Sequence, residues 1–231
     1  MRYEDGVTRR SFQGRLNHPD LKDQLSIPYR AGSPLPRKIK KNHDPGRIRY
    51  LPFFKKMYGR SARQVRKHLV SIRWMPKTVG KRIKITRING VAARLVAVSR
   101  ALDKLPAKLR HKYLARRPSA FHWRRIKHTR RLSTHSFGIA VDVAVKHANY
   151  WRWDKKTKKT VLRYRNRIPA AIVEIFERHG FIWGGKWYHY DTMHFEYRPE
   201  LLVFPCVEGR TAKTAFSPTP IPKLRPRPAQ R

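Results

Sequence analysis

The chain holds a single cysteine, Cys206, so no intramolecular disulfide can form. Acidic residues are scarce. Asp and Glu total 14 against 55 Lys and Arg, a formal net charge of +41. Such an excess predicts attraction to polyanions, whether nucleic acid, anionic lipid head groups or anionic wall polymers. The basic residues are spread along the whole chain and mark no single binding helix. No apolar run approaches the roughly 18 residues that a membrane-spanning helix needs. The start lacks a hydrophobic stretch as well. Thr8-Arg-Arg-Ser-Phe12 looks like a twin-arginine export signal, but polar Gln13 to His18 follow where an apolar region belongs, so the match is read as chance. There is no internal repeat.

A chain of 231 residues can bury one good core and carry extensions. Residues 1–60 are polar, basic and rich in turn residues, as in Gly32-Ser-Pro-Leu-Pro36 and Asp44-Pro-Gly46. They read as a basic extended arm, draped on the domain or partly disordered. Residues 208–231 carry five prolines among basic side chains, cannot bury a core, and are expected to be disordered. The domain proper is then 61–207. Ser61 is suited to cap a short helix to about Val70, with Val65 and Leu69 inward. Ile83 to Ile88 alternates with Lys and Arg and predicts a strand, and Asn89-Gly90 a turn. Val91, Leu95, Val98, Leu102 and Leu105 recur at helical spacing until Pro106. A second helix begins near Pro169, buries Ile172, Ile175 and Phe176, and ends at Gly180. Ala120 to Ile126 reads as a further strand. Asn149 to Arg167 looks like a tryptophan-bearing insertion at the rim of a site.

Two short segments carry the chemistry. The first is Ser133-Thr-His135-Ser-Phe-Gly138-Ile-Ala140-Val-Asp142; the second is Asp191-Thr-Met-His194-Phe-Glu196. From Gly138 to Val145 the pattern alternates, with Gly138, Ala140, Asp142 and Ala144 on one strand face and Ile139, Val141, Val143 and Val145 on the other. The first face is small around one carboxylate, which leaves room for a metal and a substrate. In the second segment Met193, Phe195 and Tyr197 share one face, His194 and Glu196 the other. Zinc takes nitrogen and oxygen ligands of this kind and, in hydrolytic sites, keeps one position for water. His135, Asp142 and His194 form a candidate ligand set. Asp191, in the turn before the second strand, is the candidate base. Glu196 points the same way as His194 and is read as orienting its imidazole rather than as a fourth ligand.

S-x-H-x-x-G-x-A-x-D followed by D-x-M-H-F-E resembles the M15 family of zinc peptidases. Gly180-Phe-Ile-Trp-Gly184-Gly185-Lys-Trp187 is similar to the glycine-tryptophan stretch before that family's second histidine. The likeness runs over about residues 86 to 202. It implies Zn²⁺ on His135, Asp142 and His194, Asp191 as general base, and hydrolysis of peptide bonds in peptidoglycan stem peptides. The overall likeness favours D-alanyl-D-alanine carboxypeptidase, whereas Asp rather than Glu at 191 is more like the L-alanyl-D-glutamate endopeptidase branch. Arg124, after Trp123, stands in a segment similar to the family's aromatic-arginine stretch, where an arginine steadies the oxyanion; Arg125 is the neighbouring alternative. Ser133 and Trp187 are candidate substrate-binding residues, with Trp151 and Trp153 the weaker candidates for a substrate wall. His122, His128, His147, His179 and His189 have no matched partner and read as surface histidines, His189 lying close enough to touch substrate. The resemblance also implies work outside the cytoplasm, in the periplasm or cell envelope, with the export signal removed from this chain or of an unconventional kind.

The rival class is a basic polyanion-binding protein with a non-catalytic metal site. The fold expected in either case is α+β: a small antiparallel sheet carrying the zinc site and packed against helices, with the arm and tail at its ends.

Overall fold

The computed structural model describes residues 2–7, 11–154 and 162–203. Cys206, the tail from residue 208 and the lysine-rich part of the 149–167 segment lie outside the described residues. The architecture is α+β, with three small sheets and short helices among the described residues. The helices are α1 (Phe12–Asn17), α2 (Leu21–Leu25), α3 (Leu51–Tyr58), α4 (Ala62–Arg66), α5 (Val91–Leu102), α6 (Ala107–Leu109), α7 (Trp151–Asp154) and α8 (Ala170–Arg178). The strands are β1 (Tyr29–Arg30), β2 (Leu69–Arg73), β3 (Arg82–Thr86), β4 (Ala140–Asp142), β5 (Phe181–Trp183), β6 (His194–Tyr197) and β7 (Leu202–Val203). None of the described helices is long and apolar enough to cross a membrane.

The central sheet is antiparallel in the order β4-β6-β5. Its register sets Asp142 opposite His194 and Ala140 opposite Glu196. α8 packs on β5 of this sheet, and α5 lies between α8 and the β2-β3 pair. α5 starts after the left-handed Asn89-Gly90 turn and buries Val91, Leu95, Val98 and Leu102. α8 follows Pro169, buries Ile172, Val173, Ile175 and Phe176, and Gly180 in the left-handed region follows its end. Phe176 stacks on Phe195 of β6 with centroids 3.9 Å apart. Truncating such a buried ring to Ala typically costs about 3–5 kcal/mol. The helix face thus fixes the strand that carries His194 and Glu196.

Several expected elements have different bounds. Ser61 caps α4 through its side chain, but the helix stops at Arg66 and the next residues form β2. Val70 and Ile72 pair with Ile85 and Ile83 of β3, a ladder that needs the extended backbone β-branched residues favour. Leu69 is therefore a strand residue. Residues 120–126 form no strand; they are held by bonds such as His122 N–H to His135 C=O and Ser136 Oγ–H to Arg124 C=O. β4 is shorter than the alternation suggests, because Ala144 turns to φ +54° and starts a 3₁₀ turn.

Residues 2–7 and 11–60 lie against the domain in many places. β1 pairs in parallel with β7, and the buried Tyr29 hydroxyl donates to Glu177 of α8. Phe54 of α3 packs between Phe137 and the Arg198 guanidinium.

Candidate metal centre and its cleft

His135 lies in a 3₁₀ turn, Thr134–Phe137, whose start is capped by Ser133 Oγ accepting from His135 N–H. Gly138 ends the turn at φ +65°. A Cβ there would lie 2.7 Å from Leu69 Cδ2 and 3.1 Å from Thr86 N, so glycine alone fits both the conformation and the space. The reversal brings His135 back over β4, where its Nε2 sits 3.1 Å from Asp142 Oδ1. From β6, His194 Nδ1 sits 3.0 Å from the same oxygen. One donor atom from each of the three residues lies within 4.8 Å of the other two.

The far side of each ring explains what belongs at this point. His135 Nδ1 faces the Ala120 carbonyl at 2.7 Å, and His194 Nε2 faces Glu196 Oε2 at 2.9 Å. Both partners are acceptors, so those nitrogens carry the protons. In neutral imidazoles the other two nitrogens then aim bare lone pairs at a carboxylate oxygen. That arrangement repels itself unless a cation stands among the three. Burial opposes charge on Asp142, yet His135 and His194 outweigh it and hold the carboxyl well below its usual range. Burial likewise opposes a charged His194, but Asp142 and Glu196 push it up to about 10. The group therefore demands positive charge, either protons or a metal ion. Two ligands on a tetrahedral zinc at about 2.0–2.1 Å stand roughly 3.3 Å apart, close to the separations here. The donor set fits zinc in kind, and the two separations from Asp142 fit it in spacing.

Glu196 is buried and accepts from four directions: His194, Thr134 Oγ1 at 2.8 Å, Arg49 Nη2 at 2.7 Å and Arg198 Nη1 at 3.1 Å. With those partners it orients the imidazole and is turned away from the three converging donors.

Asp191 stands in the turn before β6. Its N–H donates to Gly184 C=O and its own C=O accepts from His194 N–H. A Cβ on Gly184 would lie 2.6 Å from the Asp191 carbonyl oxygen, so glycine is what lets the two segments approach. Oδ1 of Asp191 is buried without a hydrogen-bond partner. Burial, with the neighbouring Asp142 charge, pushes Asp191 up to about 6 against the pull of His194, His135 and Arg47. A buried carboxylate oxygen beside a metal set, with nothing to bind, is ready to accept a proton.

His135, Asp142, Asp191 and His194 line one cleft of about 260 Å³. Arg124, Ser133 and Trp187 line it too, whereas Arg125 turns away and donates to the Arg130 carbonyl. Trp187 is fixed by its Nε1–H to Pro45 C=O and lies 5.6 Å from the His194 ring. Trp151, Trp153, Tyr150 and His189 complete the aromatic wall. Trp153 is half exposed, so the 149–154 segment does form a rim.

Residues 127–197 match the M15 peptidase family model described as D-alanyl-D-alanine carboxypeptidase. The matched stretch contains His135, Asp142, Asp191 and His194. The M15 likeness supports a metallopeptidase acting on peptidoglycan-like substrates. No curated protein and no solved structure matches the chain. Arg124 and the N-terminal residues of the cleft lie outside the M15 match.

Arg47, Arg49 and Arg131 line the cleft and were not legible as site residues in the sequence. Arg47 and Arg49 sit in an apparent arm about 140 positions from their contacts: Arg47 Nη1 donates to His189 C=O, and Arg49 pairs with Glu196. Asp44 anchors this strap, accepting from His189 N–H at 2.9 Å and lying 2.6 Å from His189 Nδ1. The only local signal was the Asp44-Pro-Gly46 turn. In a chain with 55 basic residues, three more arginines carry no signal of their own.

Proposed function

We propose that this protein is a zinc-dependent peptidase of peptidoglycan stem peptides, of the D-alanyl-D-alanine carboxypeptidase type, working in the periplasm or cell envelope. The observation that carries the reading is the convergence of His135 Nε2, Asp142 Oδ1 and His194 Nδ1 beside the orphaned Asp191 Oδ1. Those three atoms would hold zinc. Bound there, zinc would polarise the scissile carbonyl and bring the pKa of a bound water toward ~7. Asp191 takes the proton of the attacking water and delivers it to the leaving amine. Arg124 stabilises the oxyanion from the cleft wall. Ser133 and Trp187 border the peptide, and Glu196 keeps His194 in the tautomer that leaves Nδ1 free.

The test is metal analysis together with product analysis. Near-unit zinc per chain is expected, lost largely in His194→Ala and His135→Ala. The loaded protein is expected to release free D-alanine from a pentapeptide ending in D-Ala-D-Ala. Cleavage after L-alanine in an L-Ala-D-Glu peptide would instead assign the endopeptidase branch. A zinc-loaded protein inert on both peptides and on intact wall would favour the polyanion-binding reading, which rests on the net charge of +41.

A further inference from the structure

Outside the cleft, the surface gathers cations that the proposed hydrolysis does not use. Lys55, Arg60, Arg124, Arg125 and Arg130 line a hollow of about 420 Å³ together with Leu51, Trp123 and Leu132. Arg124 also lines the cleft, so the two adjoin. Lys55 and Arg60 continue into a further hollow of about 320 Å³, where Lys56, Lys67 and His68 join them. Among the described residues no carboxylate lines either hollow.

Local structure holds these charges together. Leu51 and Lys55 stand one turn apart on α3 and share a face. Arg125 and Arg130 belong to a reversal of the chain, in which Arg125 bridges Leu132 and Ile126 N–H donates to Arg131 C=O. None of the seven Lys and Arg side chains lining the two hollows makes an ion pair among the described residues. All are exposed except the half-buried Lys55, so a ligand can reach them. Like charges gathered on a concave wall repel one another and focus a positive potential there. A chain of anions would relieve that repulsion, and the forked arginine donors suit phosphate oxygens. The rings decide between kinds of chain. Single-stranded nucleic acid is held largely by aromatic faces on which its bases stack. Here Trp123 and Tyr58 each pack 6.2 Å from the Phe137 ring, and neither is exposed. A phosphodiester chain without bases needs no such platform.

We infer that the two hollows form a binding track for a flexible, base-free phosphodiester polymer of the polyol-phosphate kind, laid along α3 and α4 to the edge of the cleft. The track concentrates in one place an affinity that the net charge of +41 makes only general. A polymer held there would run beside the cleft, with Arg124 the side chain common to both. The track stands on its own geometry and does not rest on the peptidase reading.

The experiment titrates the full chain into end-labelled polyglycerol phosphate, followed by fluorescence anisotropy at several salt concentrations. Two variants each lose three positive charges. One combines Lys55→Gln, Arg60→Gln and Arg130→Gln, all in the track. The other combines Lys104→Gln, Lys108→Gln and Arg116→Gln, exposed residues that line neither hollow nor the cleft. The track variant should bind about 10-fold more weakly or worse, with a shallower dependence on salt, because three exposed charge contacts are gone. The control should stay within about 3-fold of the parent, its change in net charge being the same. Thermal melting establishes that both are folded. Should the triple track variant melt early, Arg60→Gln with Arg130→Gln is compared in the same way with Lys104→Gln plus Lys108→Gln. Equal losses in track and control variants overturn the track and leave a diffuse charge effect. A parent chain that prefers a single-stranded oligonucleotide of matched charge overturns the choice of polymer. If no stem peptide is cleaved, the peptidase reading fails, yet the anisotropy comparison still decides the track.

Discussion

Glu196→Gln isolates the group on which the metal centre and the N-terminal strap both depend. The change keeps the size of the side chain and removes its charge. In the parent, burial pushes the Glu196 carboxyl up, but Arg49, His194 and Arg198 outweigh it and hold it well below its usual range. The neutral amide has one accepting oxygen where the carboxylate serves four donors. Arg198 keeps Glu200 and the Gly46 carbonyl, whereas Arg49 has no other ion pair among the described residues. The penalty is therefore chiefly that of one uncompensated buried charge, at the low end of the usual range, about 3 kcal/mol. For a folded body of this size that corresponds to roughly 6–12 °C in melting temperature. Metal affinity should fall about 10- to 100-fold, since His194 loses the acceptor that fixes its tautomer. Urea unfolding of the metal-free protein at pH 7 measures the first effect and competitive zinc titration the second. Glu200→Gln is the control; its carboxylate is a third exposed and should matter by less than about 1 kcal/mol. A depressed carboxyl pKa contributes stability above the unfolded value of 4.5 and loses it as pH falls. The parent should therefore lose its advantage over Glu196→Gln in acid. An apo-stability change under about 1 kcal/mol with unaltered zinc affinity would refute the reasoning.

Asp191→Asn should retain zinc and lose at least about 10²-fold in kcat, the usual contribution of a positioned proton acceptor. Because the base works only when ionised, activity should fall as pH drops. Its midpoint should lie between the ordinary carboxylate value near ~4 and about 6, a bound cation drawing it toward the lower end. Loss of zinc in Asp191→Asn, with Asp142→Asn still active, would reverse the two roles. Association with anionic polymers should weaken steeply with salt and be indifferent to Asp191→Asn, as expected for a net charge of +41. Salt-independent binding to such polymers would mean that contacts other than bulk charge hold them.

The candidate metal ligands were legible because their local order already implies geometry. Alternation in Gly138 to Asp142 and in His194 to Tyr197 sets faces on two short strands, and Gly138 marks where the chain can reverse. Helices α5 and α8 followed from apolar residues at helical spacing with turn residues at their ends. Strand β2 was missed because Arg66 to Ile72 lacks a stop signal, and its extended form is settled by pairing with β3. Residues 120–126 fail to form a strand for the converse reason: a segment of strand-like composition is a strand only where a partner supplies a ladder. The N-terminal strap was the largest surprise. Polar, basic composition predicts an arm draped on the domain or partly disordered, but not that Asp44, Arg47 and Arg49 are fixed by His189 and Glu196. Sequence by itself determined the donor types, their order and the strands that bear them, since these rest on periods of two and of 3.6 residues. Which arginines enter the cleft, and which of them meet a carboxylate among the described residues, only the tertiary structure decided, because a charge acquires meaning from what desolvates it and what stands opposite.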